Sequence, residues 1–316
     1  MLDRAPNLFI LGAAKAGTTT LHDYLSVHPA IYMSRVKEPQ FFSHDDVYAR
    51  GMDSYVDGYF AEAGGYGVRG EATPHYLFYE KAAQRIAKDL PADALRFIVM
   101  VRDPVARAYS LYWNMVAEGI EELTFDQALA AEDERRGDTA VQHAGAVSVQ
   151  YVQSSLYARQ IKTYLQYFHR DQFHIVILEE FKQAPEQGLR EICRFLQVPP
   201  FAVLPQIGSS NAAGMPRSLG LQRFLRGSSF VKKMLGSMVP QRYKYSIVEL
   251  GLNLNRRRTA YPTLSADVAR QLRTRFAEDV VELEKITGKA LGPWWRGLGS
   301  SAPHVAGISK RASDGN

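Results

Sequence analysis

Residues 8–25, LFILGAAKAGTTTLHDYL, run a short apolar stretch into a turn bounded by Gly12 and Gly17 and then into a helix-like pattern. A buried strand, a glycine-bounded turn and a helix in that order constrain a chain strongly. The glycines let the backbone approach an anion, and the first amides of the helix are available to hold it. The two glycines have the separation of a Walker A loop, G-x-x-x-x-G-K-[ST]. The lysine, however, is displaced: Thr18 stands in its place and Lys15 lies inside the loop. A lysine there lies over the turn, near a bridging oxygen, instead of reaching along a triphosphate. Ala16, Gly17, Thr18 and Thr19 supply amides, and Thr18, Thr19 and Thr20 add hydroxyls.

The rest of the chain alternates strand-like and helix-like segments. Apolar runs predict strands at 7–13, 95–101 and 173–178, with a weaker one at 68–71. Helices are predicted at 18–27, at roughly 155–168, at 185–197 and at 265–287, the last starting from Ser265. Directly after strand 95–101, RDPVARAYSLYWNMVAEG reads as a helix with Asp103 as its cap, Pro104 in the first position and Gly119 at its end. This alternation implies an α/β fold with a P-loop-type central parallel sheet and helices on both faces. Ligands of such sheets bind beyond the carboxyl ends of the strands, where both motifs lie.

The second motif argues against triphosphate chemistry. Phosphoryl transfer needs a metal, usually held by an aspartate at the end of a neighbouring strand. Here the strand ends in Arg102, and Asp103 is placed to cap the helix. Arg107, Ser110 and Asn114 then form a polar stripe at helical spacing, with Val105, Tyr109, Tyr112 and Val116 available for packing. No HExxH, C-x-x-C or calcium-loop pattern occurs, so no metal is expected. SHDD at 43–46 places Ser, His and Asp side by side, where they cannot converge as a triad. The two motifs together suit a ligand with two separate anionic ends.

FILGAAKAGTTTLHDYLSVHP, KEPQFF and VRDPVARAYSLYW resemble the sulfotransferases that use 3′-phosphoadenosine 5′-phosphosulfate (PAPS), in particular the bacterial branch related to the heparan-sulfate enzymes. The resemblance runs from residue 7 to GPWW at 292–295. It implies that Lys15, Ala16, Gly17, Thr18 and Thr19 bind the 5′-phosphosulfate, with Lys15 neutralising the leaving oxygen, and that Arg102 and Ser110 bind the 3′-phosphate. It implies that Glu38 of KEPQFF is the general base, partly buried against Phe41 and Phe42. His44 and His75 are rival bases. EATPHYLF at 71–78 matches another family segment, but Ala72 stands where the heparan-sulfate branch often has a catalytic lysine, which counts against an extended-glycan acceptor. Tyr157 in SSLYARQIKTYLQYF is implied near the nucleotide, or else as core. GSSNAAGMPRS at 208–218 takes the place of a loop closing over the nucleotide, with Asn211 and Arg217 as ligands. The single cysteine, Cys193, rules out the disulfide that holds this loop in glycosaminoglycan enzymes.

The net charge of +5 is uneven. Residues 217–258 hold ten Lys and Arg against one acid, Glu249, a local +9 that leaves the remainder at −4. The segment suits a lid over an acceptor, peripheral contact with an anionic membrane, or a packed amphipathic helix; no nucleic-acid reading motif accompanies it. The expected organisation is one domain over 1–297 and a disordered tail over 298–316, in a cytoplasmic protein with no leader or membrane span. The acceptor is expected to be a small molecule, a lipid-linked group or a carbohydrate. Two other readings stay open: a P-loop kinase or nucleotidase using Glu179 or Glu180 to hold a metal, and a non-catalytic binder of anionic polymers.

Overall fold

The computed structural model describes residues 3–137, 149–207, 215–216, 256–257 and 261–295. Five strands form one sheet: β1 (Leu8–Gly12), β2 (Ile31–Met33), β3 (Val68–Ala72), β4 (Arg96–Val101) and β5 (Phe173–Ile177). All pair in parallel, in the spatial order β2-β3-β1-β4-β5. Every residue of β1 is buried, as are Phe97–Val101 of β4. Strands buried on both faces read as continuous apolar runs, which is why these two are plain in the sequence.

The helices are α1 (Thr18–Ser26), α2 (Asp45–Tyr48), α3 (Gly51–Tyr59), α4 (His75–Phe78), α5 (Glu80–Asp89), α6 (Pro104–Glu118), α7 (Phe125–Ala130), α8 (Tyr157–Tyr164), α9 (Leu178–Gln183), α10 (Pro185–Phe195) and α11 (Ala266–Thr287). Predicted start signals work as read. Asp103 Oδ1 accepts from the amides of Val105 (2.8 Å) and Ala106 (3.3 Å), and Ser265 Oγ accepts from the amide of Val268 (3.2 Å). Cys193 is buried on α10.

The chain divides into two compact units. Of the described residues, the first holds 3–107, 152–207 and 270–295, and therefore the whole five-stranded sheet. The second holds 108–137, 149–151, 215–216, 256–257 and 261–269. Its core is aromatic: Tyr112 lies 5.0 Å from Phe125 and 5.9 Å from Tyr151, and Trp113 stacks on Tyr261 at 5.8 Å. Buried Glu121 accepts from Arg135 and Tyr151, each at 2.7 Å. Met215 and Arg257 pair in a two-residue antiparallel ladder. Asn211, Arg217, the tail 298–316 and segment 217–258 apart from 256–257 lie outside the described residues. Among the described residues no helix is long and apolar enough to cross a membrane.

Candidate functional site

The strand order reverses direction at β1. Strands β2 and β3 lie on one side of it, β4 and β5 on the other. The connections leaving the carboxyl ends of β1 and β4 therefore diverge, and the crevice between them is where doubly wound sheets bind ligands. The amide of Ala13 donates to the carbonyl of Met100 (2.7 Å), which carries the β1–β4 pairing into the loop. The amide of Ala16 turns back onto the carbonyl of Ala13 (3.1 Å).

Gly17 caps α1 with φ 91°, and no acidic residue occupies the first turn. The positive end of the helix is thus left to an external anion. A Cβ on Gly17 would sit 2.7 Å from Leu178 Cδ1, in a backbone conformation L-residues avoid. Gly17→Ala is expected to lower stability by about 1–2 kcal/mol in urea denaturation, and an unchanged midpoint would show that the loop relaxes freely.

Two arginines hold the loop from behind. Arg102, half-buried at the end of β4, donates from Nη1 to the carbonyl of Lys15 (3.4 Å). Arg107, on the first turns of α6, is 0% exposed. Its Nε–H donates to the carbonyl of Ala14 (3.0 Å), and Nη1 donates to Ser154 Oγ (2.6 Å) and Ser155 Oγ (2.9 Å). The sequence places Arg107 on a polar stripe at helical spacing; the structure buries it and bonds it to the loop backbone.

Glu38 follows β2 and is tied to β3, its amide donating to the carbonyl of Ala72 (3.1 Å). Lys37 Nζ donates to Glu38 Oε1 (2.6 Å), and the glutamate side chain is 38% exposed. Phe41 and Phe42 are fully buried, and Phe42 packs at 5.9 Å from Phe9 and 5.7 Å from Tyr76, so they form the floor of the fold beneath this segment. Among the described residues, the non-glycine residues with positive φ are Lys15 (69°), Glu38 (60°), Gln40 (57°) and Gln197 (57°). Two of these four, Lys15 and Glu38, are residues that the sequence nominates for chemistry, and backbone strain of this kind is found at functional sites as well as in turns. Lys15 follows β1 and Arg102 follows β4, joined by the hydrogen bond from Arg102 to the Lys15 carbonyl, while Glu38 follows β2 and is hydrogen-bonded to the end of β3, the strand on the other side of β1.

The rival bases are placed differently. His75 is held below the usual histidine range by burial, against the opposing pull of the Glu38 carboxylate. His44 Nδ1 lies 3.2 Å from Ser43 Oγ, while Asp45 turns away to Lys81 and Arg85, so Ser43, His44 and Asp45 form no triad.

Sequence reasoning missed Glu71. It is fully buried at the end of β3, with Oε1 accepting from the hydroxyls of Tyr55 and Tyr76 and Oε2 from that of Thr73 (2.5 Å). Burial pushes its carboxyl up to about 7, against the lowering effect of the three hydroxyls. Tyr76 in turn accepts from the amide of Phe42 (3.2 Å), which joins this carboxylate to the segment carrying Glu38. The spacing of Glu71, Thr73 and Tyr76 was a usable signal; Tyr55, on α3, was not.

Thr18 is buried at 4% and Thr19 half-buried at the start of α1. Ser110 lies on α6, 8% exposed. Tyr157 is 0% exposed at the start of α8, its ring 6.4 Å from Trp294 and its hydroxyl pushed up by burial, against the lowering effect of the Arg107 cation. The carboxylates available to a metal-dependent reading are engaged elsewhere. Glu179 Oε1 accepts from the amide of Asp103 (3.1 Å), and Glu180 pairs with Lys289 (2.6 Å). Among the described residues no group of three His, Cys, Asp or Glu could hold a metal ion.

The family described as the sulfotransferase domain matches residues 5–206. A sulfotransferase from Alicyclobacillus acidocaldarius, solved by crystallography, is 29% identical, with a TM-score of 0.68 over 92% of this chain and 99% of that one. Mus musculus heparan sulfate glucosamine 3-O-sulfotransferase 3A1 is 28% identical over 92% of this chain and 65% of its own length. Homo sapiens bifunctional heparan sulfate N-deacetylase/N-sulfotransferase 2 is 28% identical over 63% of this chain and 23% of its own. The chain spans 56% of the length of Mus musculus heparan sulfate glucosamine 3-O-sulfotransferase 5, which it also matches at 28% identity. The chain belongs to the sulfotransferase family and has its α/β fold.

Proposed function

We propose that the chain moves the sulfuryl group of PAPS to a hydroxyl or amine of a carbohydrate acceptor, releasing adenosine 3′,5′-bisphosphate. The observation that carries this reading is the order of groups across adjacent strand ends: a carboxylate, a lysine within an anion loop, and an arginine. That is the order an in-line transfer needs, with the acceptor's base on one side of the sulfur and the nucleotide on the other. Glu38 takes the acceptor's proton as its oxygen or nitrogen bonds to sulfur. The bond from sulfur to the bridging oxygen breaks on the far side, and Lys15 neutralises the charge arriving there. The amides of residues 16–19 and the hydroxyls of Thr18 and Thr19 hold the phosphosulfate; Arg102 and Ser110 take the 3′-phosphate.

The donor set fits such a ligand: a lysine, a half-buried arginine and a helix start with no acid in its first turn are all anion-seeking. Lys37 beside Glu38 supplies a cation at the acceptor end, suited to a sulfated or carboxylated sugar. The acceptor class follows that of the relatives, a heparan sulfate glucosamine 3-O-sulfotransferase and a heparan sulfate N-deacetylase/N-sulfotransferase. Residues 1–297 are read as one transferase domain, with Asn211 and Arg217 kept as candidate nucleotide ligands. Calorimetric titration in EDTA tests the donor. Adenosine 3′,5′-bisphosphate is expected to bind without metal, and Arg102→Ala to weaken it more than it weakens adenosine 5′-phosphosulfate. Binding of ATP alone, and only with Mg²⁺, would move the protein to the kinase reading.

A further inference from the structure

A guanidinium sealed in a protein core is an expensive choice. Desolvating it is only offset by good hydrogen bonds, and an apolar residue of similar volume is often as stable or more so. Arg107 is nonetheless 0% exposed. Its fork joins three segments: the loop through Ala14, the helix α6 that bears it, and the turn before α8 through Ser154 and Ser155, which are themselves buried.

Its effect on the loop follows from peptide geometry. In a trans peptide the carbonyl and the next N–H point in opposite directions. Arg107 holds the Ala14 carbonyl, so the Lys15 amide is directed the other way, out of the core. Arg102 holds the next carbonyl, that of Lys15. The two peptide planes flanking Lys15 are thus both clamped, and Lys15 sits between them at φ 69°. A lysine does not hold a left-handed conformation unless its surroundings over-determine it. The clamps are that surrounding, and Arg107 is the one shielded from solvent.

We propose that Arg107 is a positioning residue for the donor's 5′-phosphosulfate: without touching the nucleotide, it fixes the Ala14–Lys15 peptide so that the Lys15 amide and side chain meet the anion. This rests on the PAPS reading above. It separates two arginines that lie five residues apart in one motif. Arg102, half-buried, is assigned to the 3′ end although it also touches the Lys15 carbonyl, whereas Arg107, shielded from solvent, acts on the 5′ end through the backbone alone.

The test compares three probes by calorimetry: adenosine 3′,5′-bisphosphate, adenosine 5′-phosphosulfate and adenosine 3′-monophosphate. In Arg107→Met, affinity for the first two is expected to fall about tenfold or more, while 3′-monophosphate changes less than about twofold. Arg107→Lys keeps the charge but not the fork, and is expected to show the same selective loss. If Arg107→Met does not fold, Arg107→Lys and the Ser154→Ala, Ser155→Ala double variant carry the test, the latter with a smaller loss of the same selectivity. Equal losses for all three probes would make Arg107 a general structural residue, and no loss for any would remove it from the site; either overturns the proposal. If the unaltered protein binds none of the probes, the PAPS reading itself falls, an outcome separate from both.

Discussion

On the proposed mechanism, Lys15→Ala and Glu38→Gln are each expected to lower turnover by about two to three orders of magnitude, acting on opposite sides of the sulfur. Turnover is read as adenosine 3′,5′-bisphosphate released from PAPS with a heparan-type oligosaccharide as acceptor. Lys15 lies in the anion loop, so its loss also weakens binding of the bisphosphate product. Glu38 is anchored on β3 through the Ala72 carbonyl and paired with Lys37, and no hydrogen bond ties it to the loop after β1 among the described residues. Glu38→Gln should therefore leave affinity for the bisphosphate within about twofold while turnover collapses. Loss of both in proportion would reduce Glu38 to the ion pair with Lys37 and retire it as the base. Turnover that survives in Glu38→Gln but fails in His75→Ala would pass the role to His75, which shares its surroundings.

The parts of this protein that were legible in sequence are those whose cause is local. Strand β1 is apolar up to its closing Gly12, and β4 and β5 carry one polar residue each, Arg96 and His174, because both faces of the sheet are covered, and the cap at Asp103 is written in three consecutive residues. Strand β2 has three residues, too few for any periodicity to register. Strand β3 reads VRGEA, poor strand composition, because Arg69 spends its guanidinium on the carbonyls of Ala5 and Tyr66 and Glu71 is satisfied by hydroxyls from elsewhere. The site followed the same rule. Lys15 and Arg102 stand out because they occupy fixed offsets from a glycine turn and a strand end. Arg107 was visible only as one member of a polar stripe, since helical spacing says which residues share a face but not whether that face meets water. Its neighbours Val105, Ala108 and Leu111 were the available hint that it is buried.

Glu71 carries the largest stability effect. Its replacement by alanine orphans the hydroxyls of Tyr55, Tyr76 and Thr73 in a site closed to water, and should cost about 3–5 kcal/mol in urea denaturation. Glu71→Gln costs less, because an amide keeps one acceptor and gives Thr73 a donor in exchange. The two forms also differ in how they respond to pH. In the unfolded chain the carboxyl titrates near 4.5, and in the folded protein burial raises it to about 7. Between those values the folded state binds more protons than the unfolded one. The contribution of Glu71 to stability is therefore fully present below the lower value and is lost as pH rises through the higher one. Relative to Glu71→Gln, in which other titrating groups are unchanged and cancel, the natural protein should gain on the order of 2 kcal/mol when pH falls from about 7.5 to about 5. Parallel stability curves for the two proteins across that window would show that Glu71 does not change charge there. A curve of opposite slope would mean that the three hydroxyls outweigh desolvation and hold the carboxylate ionised.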